Sequence, residues 1–240
     1  MTPTILTQEV FKTLDYAAAR RCCVLIQGRT GRGKTEAARA WCAGRKDAFY
    51  IDCPPDGGMP SLLATIAEVT KAPQTDDMHN YLAAQKATII LDECARLVQA
   101  KGKRPKTLEW LRRLHDQSSV ALAFVATDFF IRECTGGSVG EYLEQFIGRF
   151  RDQLIIPDFV SKEECKGILA GVMPEPSEDA VKWAFRVANE KGKGGARRLW
   201  WLLDDAADIA RRMKCDMDVA FLRTMLKDYE GRKRLPHAEE

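Results

Sequence analysis

Apolar positions along the chain switch between two periods. Ile5, Leu6, Val10, Phe11 and Leu14, followed by Ala17–Ala19, recur at helical spacing and predict an amphipathic helix over 5–20. Cys22-Cys23-Val24-Leu25-Ile26 is instead a short continuous apolar run that stops at Gly28, the pattern of a strand buried on both faces. Similar runs occur at Phe49–Asp52, Ala87–Leu91, Val120–Ala126 and Leu154–Ile156, the last closed by Pro157. Helical stretches lie between them. Glu36–Ala43 is alanine-rich, Leu62, Leu63, Ile66 and Val69 share a face behind a Ser61 N-cap, and Leu108–Leu114 and Tyr142–Phe150 also read as helices. The turn-rich loop Pro54–Pro60 and the stretch Arg132–Gly140 read as loops. Strands alternating with helices predict an α/β core with a five-stranded parallel sheet.

Beyond about residue 160 no strand pattern remains. Ser161–Ala170, Ser177–Lys191, Ala196–Met213 and Asp218–Tyr229 are helical by period, and Ser161-Lys-Glu-Glu and Ser177-Glu-Asp-Ala open like capped helices. The expected organisation is an α/β core over 1–159, a small all-helical domain over 160–230 and a charged, frayed tail over 231–240. Trp200-Trp201, beside Leu202-Leu203, reads as packing inside the helical domain.

Composition narrows the class without naming an activity. Of 240 residues, 45% are hydrophobic and 30% charged, which excludes a disordered chain, a collagen and a coiled-coil rod. Lys and Arg total 37 against 34 Asp and Glu, a net charge of +3 that permits an anionic partner without demanding one. Eight cysteines form no C-x-x-C pair, so they read as small buried hydrophobes in a reducing compartment. His79, His115 and His237 have no metal-binding spacing. Met1–Asp15 has no long apolar region, and no apolar run approaches the roughly 20 residues that span a bilayer. The expectation is a cytoplasmic, soluble protein with no membrane partner.

The chemistry begins at Gly28-Arg29-Thr30-Gly31-Arg32-Gly33-Lys34-Thr35, which satisfies G-x-x-x-x-G-K-[ST] at every fixed position. Glycines let such a loop curl so that backbone N–H groups face phosphate oxygens. The helix that follows, from Glu36 onward, adds its positive end. Lys34 is placed to reach the terminal phosphates of ATP, and the Thr35 hydroxyl to ligate Mg²⁺. A second part, Ala87-Thr-Ile-Ile-Leu91-Asp92-Glu93, is a buried strand delivering two carboxylates at its C-terminal end, where ligands sit in open α/β sheets. Asp92 suits Mg²⁺ binding, and Glu93 suits polarising a water as general base.

Three further features separate a mechanical ATPase from a metabolite kinase. Thr127, ending the fourth strand, is placed to orient a water; the alternative is a turn or helix cap. Arg149 and Arg151, just before the fifth strand, are candidates to reach a neighbouring subunit's nucleotide; the alternative is a cation favourable at a helix C-terminus. Gly194-Gly-Ala-Arg197-Arg198 opens a helix with arginines, a poor choice for the dipole unless they face phosphate.

With these residues in place, the chain resembles the AAA+ ATPases over roughly residues 5–230. The matching parts are the loop Gly28–Thr35, Leu91-Asp92-Glu93, a sensor-like Thr127, Arg149/Arg151 and Gly195-Ala-Arg197 at the start of a lid helix. Many AAA+ proteins carry Asn where this chain carries Thr127. Within AAA+, the strand ending Ala-Thr-Asp and the Gly-Gly-Ala-Arg-Arg-Leu lid resemble the MuB/TniB/TnsC group, ATP-dependent target selectors for DNA transposition. The resemblance implies ATP-driven assembly of a homo-oligomer, a helical filament on double-stranded DNA, and recruitment of a transposase or recombinase. The phage Mu B protein carries an extra N-terminal DNA-binding domain, whereas only residues 1–21 precede the first predicted strand here, and no long recruitment tail follows. DNA contact is therefore expected from the core. Lys101, Lys103, Arg104 and Lys106 form a basic loop suited to sequence-independent backbone contact, with a solvated surface loop as the alternative. Arg20-Arg21 and Arg211-Arg212-Met-Lys214 are weaker candidates. Two other functions fit the motifs: a loader or remodeller of a protein partner, of the replication-initiation type, and a small-molecule phosphotransferase.

Overall fold

The computed structural model describes residues 4–74, 77–99, 106–135, 146–192 and 195–232. The chain divides into two compact units, Thr7–Arg29 with Lys34–Ile156, and Met1–Leu6 with Thr30–Gly33 and Pro157–Glu240.

The first unit is built on five strands: β1 (Cys23–Gln27), β2 (Ala48–Asp52), β3 (Thr88–Asp92), β4 (Ala121–Ala126) and β5 (Phe150–Ile155). They form one parallel sheet in the order β2-β3-β4-β1-β5. Every residue of β3 and β4 is buried, as expected of apolar runs in a sheet covered on both faces. At the edge, β5 exposes Arg151, Asp152, Gln153 and Ile155. Because the strands are parallel, the segments after β1, β3 and β4 all leave from one edge of adjacent strands, with Gln27 beside Ala126 and Leu91 beside Phe124. The helices here are α1 (Ile5–Arg20), α2 (Lys34–Cys42), α3 (Met59–Thr70), α4 (Met78–Ala84), α5 (Ala95–Gln99), α6 (Lys106–Ser118) and α7 (Asp128–Thr135).

Several expectations are corrected. The last strand starts at Phe150 rather than Leu154: Phe150 pairs with Cys23 and packs edge-on to Phe124 and Phe146, with centroids 5.3 and 5.4 Å apart. Arg149 thus lies in a turn and Arg151 inside β5, not at the end of a helix. Residues 142–145 of that predicted helix lie outside the described residues. Arg132–Thr135 is helical, because Phe130 and Cys134 bury one face of α7. The N-cap of α3 is Gly58, with Pro60 in the first turn, while the Ser61 hydroxyl donates to Asp56 Oδ2 at 2.6 Å.

The second unit contains α8 (Lys162–Ala170), α9 (Glu178–Ala188), α10 (Gly195–Met213) and α11 (Val219–Arg232), with no strand among its described residues. Ser161 and Glu164 form a reciprocal capping box on α8, and Ser177 accepts from the Ala180 N–H to cap α9. On α10 the buried stripe is Leu199, Leu202, Leu203, Ala206 and Ala210. Trp200 and Trp201 fall off that stripe and are 43% and 49% exposed, so they do not pack the core of this unit. No described helix is long and apolar enough to cross a membrane.

Candidate active site

The end of β1 is pinned before the phosphate loop begins. Gly28 N–H donates to Ala126 O (3.2 Å), Ile156 N–H donates to Gln27 O (2.8 Å), and Gln27 Nε2 donates to Asp128 Oδ1 (2.9 Å). A Cβ on Gly28 would come within 2.8 Å of the Ile156 side chain, so only glycine fits there. Gly31 and Gly33 have φ of +83° and +89°, the region that lets the loop curl. Lys34, first residue of α2, is buried; its Nζ donates to Gly28 O (2.6 Å) and Arg29 O (2.9 Å).

Across from the loop stands Asp92, 4% exposed at the end of β3. Three donors meet its carboxylate: the Thr35 and Tyr50 hydroxyls, each 2.7 Å from Oδ2, and the Glu93 N–H, 2.8 Å from Oδ1. Such bonds offset the cost of burying a carboxylate, which is several kcal/mol when it is unpaired. Burial, then the bond to Asp92, pushes the Tyr50 phenol up. The Arg39 guanidinium sits over the Tyr50 ring, with Cζ 4.8 Å from the centroid, and the phenol is the main cause that raises the Arg39 pKa. Glu93 is exposed with φ +54°, a left-handed conformation that costs a non-glycine residue about 1–2 kcal/mol. A hydroxyl and a carboxylate at 2.7 Å are hard oxygen donors of the kind Mg²⁺ takes, and the curled loop with its buried lysine fits a polyphosphate. Among the described residues no cluster of three or more His, Cys, Asp or Glu could hold a metal ion.

Thr127 is half-buried directly after β4, and its carbonyl accepts from the Phe130 N–H (3.0 Å), at the cap position of α7. Arg149 is engaged within the chain. Its Nε and Nη2 each lie 3.2 Å from the two oxygens of Asp116, whose carboxyl the bond to Arg149 holds below its ordinary pKa. Arg151 is exposed on β5. Lys106 opens α6 and is exposed, whereas Lys101, Lys103 and Arg104 lie outside the described residues.

The helical unit holds the segment Thr30–Gly33. Arg197 N–H donates to Gly31 O (3.1 Å), while its guanidinium lies 5.9 Å from the Trp201 ring. Arg198 is buried on Glu190 (2.5 Å) and Glu230 (2.7 Å), which gives it a structural role. Arg32 is also buried. Its Nη2 lies 3.3 Å from both Glu164 oxygens, and Nε and Nη1 are without partners. Sequence reasoning missed Tyr50 and Glu164. The alternation Tyr50-Ile51-Asp52 was the available signal for the first, since it sets Tyr50 and Asp52 on one face of β2, and Asp52 pairs with Asp92.

The AAA domain family matches residues 18–134. The fold places a phosphate loop after β1 and an Asp-Glu pair at the end of β3 of a β2-β3-β4-β1-β5 sheet. The chain is similar to AAA+ ATPases in fold and motif. It is 24% identical, over 143 residues and 56% of its length, to the Mu-like prophage FluMu DNA transposition protein B of Haemophilus influenzae, and the match spans about half (48%) of that relative. The ORC1 protein of Aeropyrum pernix, solved in complex with DNA, superposes with a TM-score of 0.61 at 20% identity, over 96% of this chain and 68% of that one. Domain III of the Thermotoga maritima replication initiation protein DnaA gives a TM-score of 0.59 at 14% identity, over 93% and 90%.

Proposed function

We propose that this chain hydrolyses ATP, assembles as a homo-oligomer on duplex DNA inside the cell, and directs or activates a transposase or related recombinase. The observation that carries the reading is the likeness to a DNA transposition protein B, combined with an intact phosphate-loop motif whose Thr35 hydroxyl bonds Asp92. In this reading, backbone N–H groups of Gly28–Thr35, the Lys34 ammonium and the first turn of α2 with Glu36 bind the phosphates. Thr35 and Asp92 hold Mg²⁺, which supplies neutralisation of phosphate charge. Glu93 polarises the attacking water, Thr127 orients it, and Arg197, exposed beside Gly31, meets the terminal phosphate. Of the two arginines proposed to act on a neighbouring subunit, Arg151 is the better placed, because Arg149 is taken up by Asp116. Lys101, Lys103, Arg104 and Lys106 contact the DNA backbone without reading sequence.

Negative-stain imaging with a slowly hydrolysed ATP analogue, with and without duplex DNA, tests this. Filaments that need both are expected, and Glu93→Gln should keep them with ATP while lowering hydrolysis about 10²–10⁴-fold. Failure of either protein to assemble with nucleotide and DNA refutes the reading. A second reading, a loader of a protein partner, draws on the likeness to a replication initiation domain over 90% of that domain. It predicts closed rings without DNA and ATPase activity stimulated by protein.

A further inference from the structure

Asp92 is tied to more than the phosphate-loop helix. Its Oδ2 accepts from two hydroxyls, Thr35 and Tyr50, each at 2.7 Å, and its Oδ1 accepts from the Glu93 N–H. An ionised carboxylate offers about four acceptor positions, so three are already committed. Tyr50 is itself packed from the other side: the Arg39 guanidinium sits over its ring, with Cζ 4.8 Å from the centroid. Arg39 is one helical turn beyond Thr35 on α2, so both residues lie on one side of that helix. The contacts close a circuit. Helix α2 reaches Asp92 directly through Thr35, and again through Arg39 and the Tyr50 hydroxyl from β2. A carboxylate held by one hydroxyl turns about its χ2 bond; one held at both oxygens from three elements does not.

We propose that Tyr50 is a positioning residue for the divalent cation. Its hydroxyl fixes the Asp92 carboxylate in the orientation that shares the metal with Thr35, and Arg39 fixes Tyr50. The inference rests on the nucleotide reading given above, in which Thr35 and Asp92 serve Mg²⁺. Tyr50 touches neither phosphate nor metal in this account and acts only through Asp92. Tyr50 pairs with Ile90, and a phenol is long enough to reach the next same-face residue, Asp92.

The test is a titration of Mg²⁺ against binding of a fluorescent ADP analogue, with a parallel series in EDTA and a thermal melt. Tyr50→Phe keeps the ring and removes only the hydroxyl. The expected result is a rise of about fivefold in the Mg²⁺ concentration at half-maximal binding, with unchanged affinity in EDTA and a Tm within about 2 °C of the parent. Arg39→Gln, at an exposed position, should shift the Mg²⁺ midpoint in the same direction by about twofold, and it carries the test should Y50F not fold. An unchanged Mg²⁺ midpoint in the folded variants overturns the proposal. So does an equal loss of affinity with and without metal, which would mark Tyr50 as merely structural. If the parent protein binds the nucleotide with no response to Mg²⁺, the nucleotide reading falls with it, whereas a normal parent response beside an unshifted Y50F removes the positioning role alone.

Discussion

At Asp92 the sheet unit buries a carboxylate and meets it with three donors at 2.7–2.8 Å; at Arg32 the helical unit buries a guanidinium, meets it with one carboxylate at 3.3 Å, and leaves Nε and Nη1 unpartnered. Both ions belong to the nucleotide motifs, and both are nearly inaccessible. The difference shows where this protein is over-determined and where it is exposed to loss. A buried ion is cheap only when each of its polar atoms has a partner, and each orphaned donor costs about 1–3 kcal/mol. The Asp92 corner can lose one donor and keep two hydrogen bonds. The Arg32 corner depends on Glu164 alone, and Glu164 is shared with the Ser161 N–H of the capping box.

The largest effect should therefore come from Glu164→Leu, which strands the buried guanidinium and removes half of the capping box: about 3–5 kcal/mol of stability in a denaturant titration. A loss under 1 kcal/mol would mean that Arg32 finds other partners and that the contrast is wrong. Next comes Lys34→Ala, expected to weaken ATP binding about 100-fold, equivalent to about 2.7 kcal/mol, in a fluorescence titration. It removes a cation from the satisfied corner without disturbing the Asp92 bonds, so its Tm should fall far less than that of Glu164→Leu. Smaller still is Arg32→Met, which removes the charge together with its two orphaned donors. The expected loss is about 1–2 kcal/mol, because Glu164, only 12% exposed, keeps the Ser161 N–H but loses its cation. A loss as large as that of Glu164→Leu would show that the Arg32 charge is well paired.

The same contrast explains what was legible beforehand. The loop Gly28–Thr35 and the pair Asp92-Glu93 are local patterns whose chemistry needs fixed spacing. Each adjoins a run of at least three apolar residues, and β4 is apolar throughout, so β1, β3 and β4 were read to within one residue or so at either end. β5 was read too short because an edge strand tolerates Arg151-Asp152-Gln153, which carries no strand signal. Trp200 and Trp201 were misassigned because an aromatic pair next to two leucines looks like core until the helical stripe of α10 is followed residue by residue. The partners of the two buried ions were hidden for a different reason. Tyr50 is 42 residues from Asp92 and Glu164 is 132 from Arg32, separations at which only tertiary pairing brings side chains together.

A third ionic contact, Arg149 with Asp116, calibrates the other two, because about a third of each side chain is exposed. The bidentate bond from Arg149, with a further bond from Arg112 at 2.9 Å, holds the Asp116 carboxyl below its ordinary pKa. Because the folded-state value is the lower one, the folded chain takes up this proton only at lower pH than the unfolded chain does. The contribution to stability is complete above the ordinary carboxylate value of about 3.9 and is lost as pH falls through the folded value. Asp116→Asn should open a gap of about 0.5–1 kcal/mol to the parent at pH 7, discounted for solvent screening. That gap should stay constant down to about pH 5 and close below about pH 4. Salt should shrink it, since a part-exposed pair is screened, whereas the cost of Glu164→Leu should barely respond to salt. Urea titrations at several pH values and at low and high salt read both trends. A gap that persists in acid would mean that Asp116 acts through packing rather than charge, and a salt-sensitive Glu164→Leu would move Arg32 from the buried class to the screened one.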